Sequence, residues 1–515
     1  MKIVIVGGGT AGWMASLFLA RINVRDKQDP LYDITVIESE DIPIIGAGEG
    51  STGAMTMAVV NTLKELEGFS EQQFFENCNT TFKLGLECRD WNGVGDFFFE
   101  PLQQTNSFEL PCDVDYCITK KYDESSYATL NRHLWDKNLS AFPLKAEDGG
   151  YEGYAYHFDS YKVGEYFKQV ALKNGVKVQK GTVSNTNLNP NNGELQRVIL
   201  SDGTEIESDF WIDCTGFNRV LINSVGAEWV SYSDYLPINS ALVYTHPMEK
   251  DEVIRPSTLA WAMPNGWMWQ IPTQTRYGCG YCHSDKFVSE EQALKEMQEI
   301  TGRKIEPLRN IKFDSGRLKE TWKKNVLAVG LSSSFLEPLE ATSIHSTIIQ
   351  MVHLTQHSLS HIKENLVRES NIKAYNDHFG KMLDEFRDLI QIHYMVERED
   401  TPFWKYVKHD LKRGELVEKI LEICQWRVPN SYDFPYHHGS AGWGVWCWIL
   451  DGNGLISDTV LNNTLKSQGL HFLSDDVYNK MQSNYEKMSD KYIPHTAFIG
   501  AVQNFLKNNR KDFEF

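Results

Sequence analysis

The opening of the chain constrains it most. Ile3-Val4-Ile5-Val6 runs into Gly7-Gly8-Gly9-Thr10-Ala11-Gly12, which fits G-x-G-x-x-G. The apolar run stops at the glycines and no small-residue cleavage site follows, so it reads as a buried first strand and not as a secretion signal. Alone the glycine pattern is weak. Here a helix is predicted over about Ala11–Asn23, and a second strand, Ile34–Ile37, ends at Glu38. Strand, glycine turn, helix and a strand ending in an acid form the dinucleotide-binding fingerprint. The glycines let the backbone approach a pyrophosphate, and the helix N-terminus offers unpaired N–H groups and a positive dipole end. Gly7, Gly9, Ala11 and Gly12 are the candidate phosphate contacts, and Glu38 the acceptor for a ribose hydroxyl. Asp213-Cys-Thr-Gly216 and Asn325–Gly330 are further glycine turns after buried strands. A chain that returns to its cofactor so late favours FAD over NAD. No second G-x-G-x-x-G offers a nicotinamide site.

Charge and composition narrow the partners. Among 515 residues, 51 Lys and Arg stand against 69 Asp and Glu, a net charge of −18. Such an acidic chain without a basic stripe is a poor binder of nucleic acid or anionic membrane. No apolar run is long enough for a membrane helix. Nine irregularly spaced cysteines suit a reducing, cytoplasmic setting without a disulfide framework. Cys279 and Cys282 lie three apart in a predicted strand and so point to opposite faces, which argues against a metal or redox pair.

The predicted fold is α/β: a Rossmann module of the glutathione-reductase-like, FAD-binding kind with an antiparallel sheet, followed by a mostly helical C-terminal region. Residues 1–370 would form the first part, with a substrate-facing insertion near 92–150, and residues 371–515 the helical part. Helices are expected over Thr52–Glu67, Tyr161–Asn174, from near Ser343, and over 371–394, 411–425, 474–485 and 495–508. Residues 229–287 alternate apolar and polar and predict antiparallel strands.

Trp267-Met268-Trp269-Gln270-Ile271-Pro272 fits W-x-W-x-I-P. Two tryptophans two apart on a strand share one face, and on chemistry alone they are core aromatics. Together with the glycine turn followed by Trp13, however, the motif resembles the flavin-dependent halogenases of the tryptophan halogenase family. Gly46-Ala47-Gly48-Glu49 is similar to that family's flavin loop, and Phe82-Lys83 to its Phe-Lys pair. Tyr156–Asp159, Asp213–Phe217, Gly330-Leu331, Phe335-Leu-Glu-Pro-Leu-Glu-Ala-Thr342, His393-Tyr394 and Asp400–Trp404 follow in the family's order, over roughly residues 1–410.

The resemblance implies a reaction. Reduced FAD (FADH2), oxygen and a halide ion yield hypohalous acid, which travels through a tunnel to a lysine. A nearby glutamate assists halogenation of an aromatic ring. The lysine falls on Lys83 and the glutamate on Glu340. A desolvated lysine can offer a neutral amine, and a carboxylate beside it can take the proton the ring loses. The resemblance adds Ala47, Gly48, Gly330, Leu331 and Ile344 to the cofactor contacts. Trp267 and Trp269 become a wall between flavin and substrate, and a separate NAD(P)H-dependent flavin reductase becomes a partner.

The chain departs from the family in two places. Ala341-Thr342-Ser343 replaces Ser-Thr-Gly at the halide site. Thr342 and Ser343 remain candidates for holding the anion at a helix N-terminus, with Ser343 as a cap and with less freedom for positive φ than glycine. Tryptophan-specific members carry His-x-Phe where this chain reads Phe98-Phe99-Glu100-Pro101-Leu102. The glycine-rich Tyr436–Trp448 lacks an obvious clamp for an amino acid. Phe97, Phe99, Trp443 and Trp446 are therefore expected to form a forgiving aromatic pocket. It would take electron-rich indoles or phenols and not free tryptophan, with bromide or iodide favoured over chloride. His437-His438 is not expected to be a metal pair, and no metal is expected elsewhere. The competing reading is a flavin mono-oxygenase, a hydroxylase or epoxidase, which needs neither Lys83 nor the tryptophan strand. A homo-oligomer is compatible with the sequence.

Overall fold

A computed structural model describes residues 1–24, 30–39, 49–102, 113–143, 153–249, 251–434, 441–472 and 474–508. The expected sites Ala47 and Gly48 and the pair His437-His438 lie outside the described residues.

The first strand, Lys2–Val6, is central in a six-stranded sheet. Its parallel neighbours are Phe210–Asp213 and Asp33–Glu38; beyond them lie Val326–Ala328 on one side and Lys177–Lys180 on the other. Ile3 and Ile5 face one core and Val4 and Val6 another. That two-sided burial explains the unbroken apolar run, since a parallel sheet between layers has no solvent face. The helix Thr10–Val24 crosses from the first strand to the second and packs against Ser160–Lys173.

A seven-stranded sheet carries Trp267 and Trp269. Its order is Arg309–Lys312, Ser240–Pro247, Arg276–His283, Gly266–Pro272, Ser257–Met263, Gly85–Arg89 and Phe97–Pro101. The antiparallel expectation holds for the strands of 240–283. Ser257–Met263, however, pairs in parallel with Gly85–Arg89. The register puts Trp267, Trp269, Ala260, Cys88 and Leu86 on one face together with Phe98 and Glu100. The opposite face carries Met268, Tyr281, Cys279 and Leu242, covered by the helix Glu290–Thr301. Cys279 and Cys282 thus belong to different cores, as their spacing predicts.

The helices from 369 onward follow the expected pattern: Glu369–Ile392, Glu415–Ile423, Ser474–Ser489 and His495–Asn508. Among the described residues, Pro402–His409, Trp443–Gly452 and Asp458–Ser467 are helices outside those expected spans. The single helix expected over 52–67 is instead a short α-helix, Gly53–Met57, a π-turn, Ala58–Thr62, and a 3-10 turn, Leu63–Glu65. Among the described residues no helix is long and apolar enough to cross a membrane.

Candidate active site

One cavity of about 1030 Å³ joins the glycine turn to the tryptophan-bearing face of the large sheet. It is lined at one end by Gly7, Gly9, Ala11 and Glu38, and at the other by Lys83, Trp267 and Trp269, with Gly330, Leu331, Thr342, Ser343 and Ile344 along one side. That volume is at the upper end for small-molecule sites and suits a dinucleotide.

The turn is shaped by contacts that only glycine allows. Gly7 has φ +120°, and a Cβ there would lie 2.1 Å from the carbonyl oxygen of Cys214. A Cβ on Gly12 would lie 1.9 Å from the Gly7 oxygen, so Gly12 serves the packing of helix on strand and does not line the cavity. At Gly9 a Cβ would meet nothing within 4 Å; that space belongs to the cavity. The first-turn N–H groups of Thr10–Val24 therefore face room for a diphosphate. Glu38 pairs with Lys168 at 2.5 Å and still lines the cavity. Asp213 is spent on structure: its oxygens accept from Thr215, Leu221, Ile222 and Ser332.

Lys83 ends the strand Thr81–Lys83, which pairs with Ala155–Phe158. Phe82 points the other way, into a cluster of Phe75, Phe142, Tyr154 and Tyr156. Alternation then forces Lys83 toward the cavity, where it is 4% exposed. Burial pushes its ammonium down from the usual lysine range; Glu340, Glu100 and Cys88 oppose the shift without cancelling it. His157, held between Thr81 and Thr258, is kept neutral by burial and by Lys83.

Glu337-Pro-Leu-Glu340 gives its two acids different work. Glu337 is extended, as a residue before proline must be, and is fully buried. It accepts from the Ile238 N–H at 3.2 Å, from Trp267 Nε1 at 3.4 Å and from the Tyr394 hydroxyl, so it ties the turn to the tryptophan strand. Burial raises it to about 7. Glu340 emerges on the other side. Its Oε1 lies 2.9 Å from His393 Nε2, which also lies 3.6 Å from Glu100 Oε2. Burial opposes ionisation of Glu340, but His393 and Lys83 outweigh it and hold this carboxyl below its usual range. Burial and the charge of Glu340 raise Glu100 to about 7. Burial works against an imidazolium at His393, yet the two carboxylates lift it to about 10. Each of the three residues offers one donor atom, and all lie within 4.8 Å of one another, a geometry that a divalent cation would also accept. The imidazolium and Lys83 already supply positive charge there.

After Glu340 the chain turns through Ala341, at φ 51°, into the helix Thr342–His353. The left-handed residue is thus Ala341; Ser343 lies in the helix and needs no positive φ. Ser343 is not the cap either, because the N-cap position is Ala341 and no side chain caps the helix. Thr342 Oγ1 is buried and without a hydrogen-bond partner in this arrangement, beside the open N–H groups of the first turn.

Trp267 and Trp269 stand side by side, centroids 6.2 Å apart, and line the same cavity as Lys83. Gly280 makes this possible, since a Cβ there would lie 2.0 Å from the Trp269 indole. The four other aromatics do not share one wall. Phe97 and Phe99 point away from Glu340; Phe99 stacks on Trp135 at 4.6 Å and Phe97 lies beside the same ring at 6.2 Å. Trp443 and Trp446 lie on the helix Trp443–Gly452, which packs against Phe98 through Gly452. Glu100, which faces Glu340, and His393, noted only as part of a motif, carry no functional expectation from the sequence. The available signal was an acid interrupting the aromatic run Phe97–Phe99 at a position of inward parity.

The family model described as tryptophan halogenase matches residues 2–463. Tryptophan 6-halogenase SttH of Streptomyces toxytricini is 30% identical over 488 residues, covering 88% of this chain and 90% of its own length. Tryptophan 7-halogenase RebH of Lentzea aerocolonigenes is 30% identical over 495 residues, with 89% and 90% covered. The solved structure of Tar14, a tryptophan C-6 flavin-dependent halogenase (chlorinase) from taromycin biosynthesis, superposes with a TM-score of 0.87 at 26% identity, covering 98% of this chain and 99% of that one. The glycine turn and the buried Lys83 line one cavity, and the chain belongs to the tryptophan halogenase family of flavin-dependent halogenases that act on aromatic substrates.

Proposed function

We propose that this enzyme halogenates an electron-rich indole or phenol by relaying hypohalous acid from the flavin end of the cavity to Lys83. The observation that carries this reading is the continuity of one cavity from the glycine turn to a buried lysine with a depressed pKa. FAD, delivered reduced by a separate flavin reductase, would supply hypohalous acid when bound with oxygen and halide. Gly7, Gly9 and the helix N-terminus at Thr10 hold its diphosphate, and Glu38 its ribose. Gly330, Leu331 and Ile344 line the flavin end. Thr342 Oγ1 and the amides at Thr342 and Ser343 hold the halide at the dipole's positive end.

Trp267 and Trp269 keep the aromatic ring from the flavin, which separates halogenation from direct oxygen insertion. Lys83 hydrogen-bonds the acid, or its neutral amine takes the halogen to give a haloamine as the halogen–oxygen bond breaks and the amine proton leaves with hydroxide as water, so the electrophilic halogen meets the ring at one place. Glu340 stays ionised beside it and takes the ring proton. The helical C-terminal region, with Trp443 and Trp446, covers the substrate. Phe97 and Phe99 hold the Trp135 side of that wall, one strand face removed from Glu340.

Free tryptophan should be a poor substrate, because specificity needs polar groups that only the right ligand satisfies. Ser343 adds a Cβ where the family has glycine. The most strongly hydrated halide should suffer most, so bromide or iodide is favoured over chloride. The test supplies chemically reduced FAD, oxygen, indole and each halide, and reads product mass. A brominated product with no activity from NADH alone fits the proposal; a hydroxylated product without halogen supports the mono-oxygenase instead.

A further inference from the structure

The carboxylate that receives the ring proton is not isolated. Glu100 Oε2, Glu340 Oε1 and His393 Nε2 converge from a strand, a turn and a helix end, all three buried and none in an aligned hydrogen bond. His393 Nδ1 lies 3.1 Å from the Leu389 carbonyl oxygen, which can only accept, so Nδ1 carries a hydrogen and Nε2 alone faces the two acids. Two carboxylates and an imidazole lone pair cannot crowd together bare in a dry site; at least one shared proton must hold them.

We propose that Glu100 is a positioning residue for halogenation: with His393 it takes over the proton that Glu340 removes from the ring, and so restores Glu340 as a carboxylate inside the closed site. This deepens the reading of Glu340 given above and rests on it. The C–H bond at the halogenated carbon breaks, its electron pair returns to the ring, and the proton goes to Glu340 Oε1. The proton on His393 Nε2 passes to Glu100 Oε2, and the one on Glu340 replaces it on Nε2. The charges before and after are equal, and the proton on Glu100 exchanges with water when product leaves.

The surroundings suit this division. Burial and Glu340 set Glu100 near neutrality, while His393 and Lys83 keep Glu340 ionised. Of the other groups packed about Glu100, Cys88 is kept a neutral thiol by burial. The helix Trp443–Gly452 brings Cys447 and Asp451, the latter paired with Lys120. The helix Leu130–Asp136 brings Arg132, which pairs with Asp136 and lies against Phe97, and His133, which packs on Tyr127 and Tyr485.

The test measures indole bromination by the whole enzyme with reduced FAD across neutral pH. Glu100 accepts only when ionised, so wild-type kcat should rise through a break near pH 7. In Glu100→Gln the break should vanish and kcat at neutral pH should fall about tenfold. The KM for indole and the rate of flavin oxidation should be unchanged, so more hypobromous acid should reach the trap per flavin oxidised. Glu100→Asp should restore a break at a shifted pH. An infrared band of a buried carboxylic acid should titrate near neutrality in the wild type and be missing from Glu100→Gln; if that variant fails to fold, the wild-type titration and Glu100→Asp carry the test. An unchanged break in Glu100→Gln, or no titrating band, would overturn the proposal. So would activity lost on chelation and restored by zinc, which would put a metal ion where we place a proton. Absence of brominated indole from the wild type would instead remove the halogenase reading beneath it.

Discussion

The two ends of the cavity are built from different materials. The flavin end is backbone: a positive-φ glycine, two helix N-termini and a turn with no room for a Cβ at Gly7. The other end is side chain: buried Lys83, Glu100 and His393 with the half-buried Glu340, sharing charge. Fixed amide dipoles suit a cofactor that must be held the same way in every turnover. Side chains suit proton traffic, because their ionisation can be set by neighbours. A backbone-built end should fail through steric strain, and a side-chain-built end through lost charge in an intact fold.

The largest effect should come from breaking the backbone end. Gly7→Ala puts a Cβ against the Cys214 backbone at φ +120°, and neither can yield cheaply. We expect a stability loss of about 3 kcal/mol or more and no retained FAD, read by thermal unfolding and flavin fluorescence. Stable, FAD-loaded protein would contradict the role given to the turn. Glu340→Gln works at the other end. It keeps shape but removes the base, so bromination should slow about 100-fold while melting temperature and flavin oxidation stay unchanged. Equal loss of flavin oxidation would mean that the two ends are not separate.

Gly280→Ala tests the wall between the ends. The Trp269 indole must move, at a cost of about 1–3 kcal/mol. Leakage of oxidant past the wall should show as a lower yield of brominated product per flavin oxidised; an unchanged yield would mean that Trp269 does not divide the cavity. Ser343→Gly should have the smallest effect, raising chloride use relative to bromide by a factor of a few in competition assays, within ~1 kcal/mol. No change in that ratio would free Ser343 of any part in halide choice.

The same contrast explains what could be read in the sequence. The flavin end is legible because its requirements fall on consecutive residues: Ile3–Gly12 already carries strand, turn and helix start, and the structure places the helix within a residue of the expected bounds. The reaction end recruits residues scattered between positions 83 and 393, and no local spacing records that Glu100 meets His393. Lys83 and Glu340 could be singled out only through family motifs. The aromatic run alone points Phe97 and Phe99 to the pocket, whereas the two-residue period of their strand sends them to Trp135 and sends Glu100 inward. The parallel pairing of Gly85–Arg89 with Ser257–Met263 likewise has no local signature, because nothing near either strand announces a partner so distant.

The account stands on a diffusing oxidant captured by Lys83, and Lys83→Ala examines that most directly. Reduced FAD, oxygen, bromide and indole are supplied, and flavin oxidation, trapped hypobromous acid and brominated product are measured in one experiment. The prediction is that flavin oxidation continues at the wild-type rate, hypobromous acid escapes to the trap, and brominated indole disappears. Bromination at near the wild-type rate, or loss of flavin oxidation together with product, would contradict it.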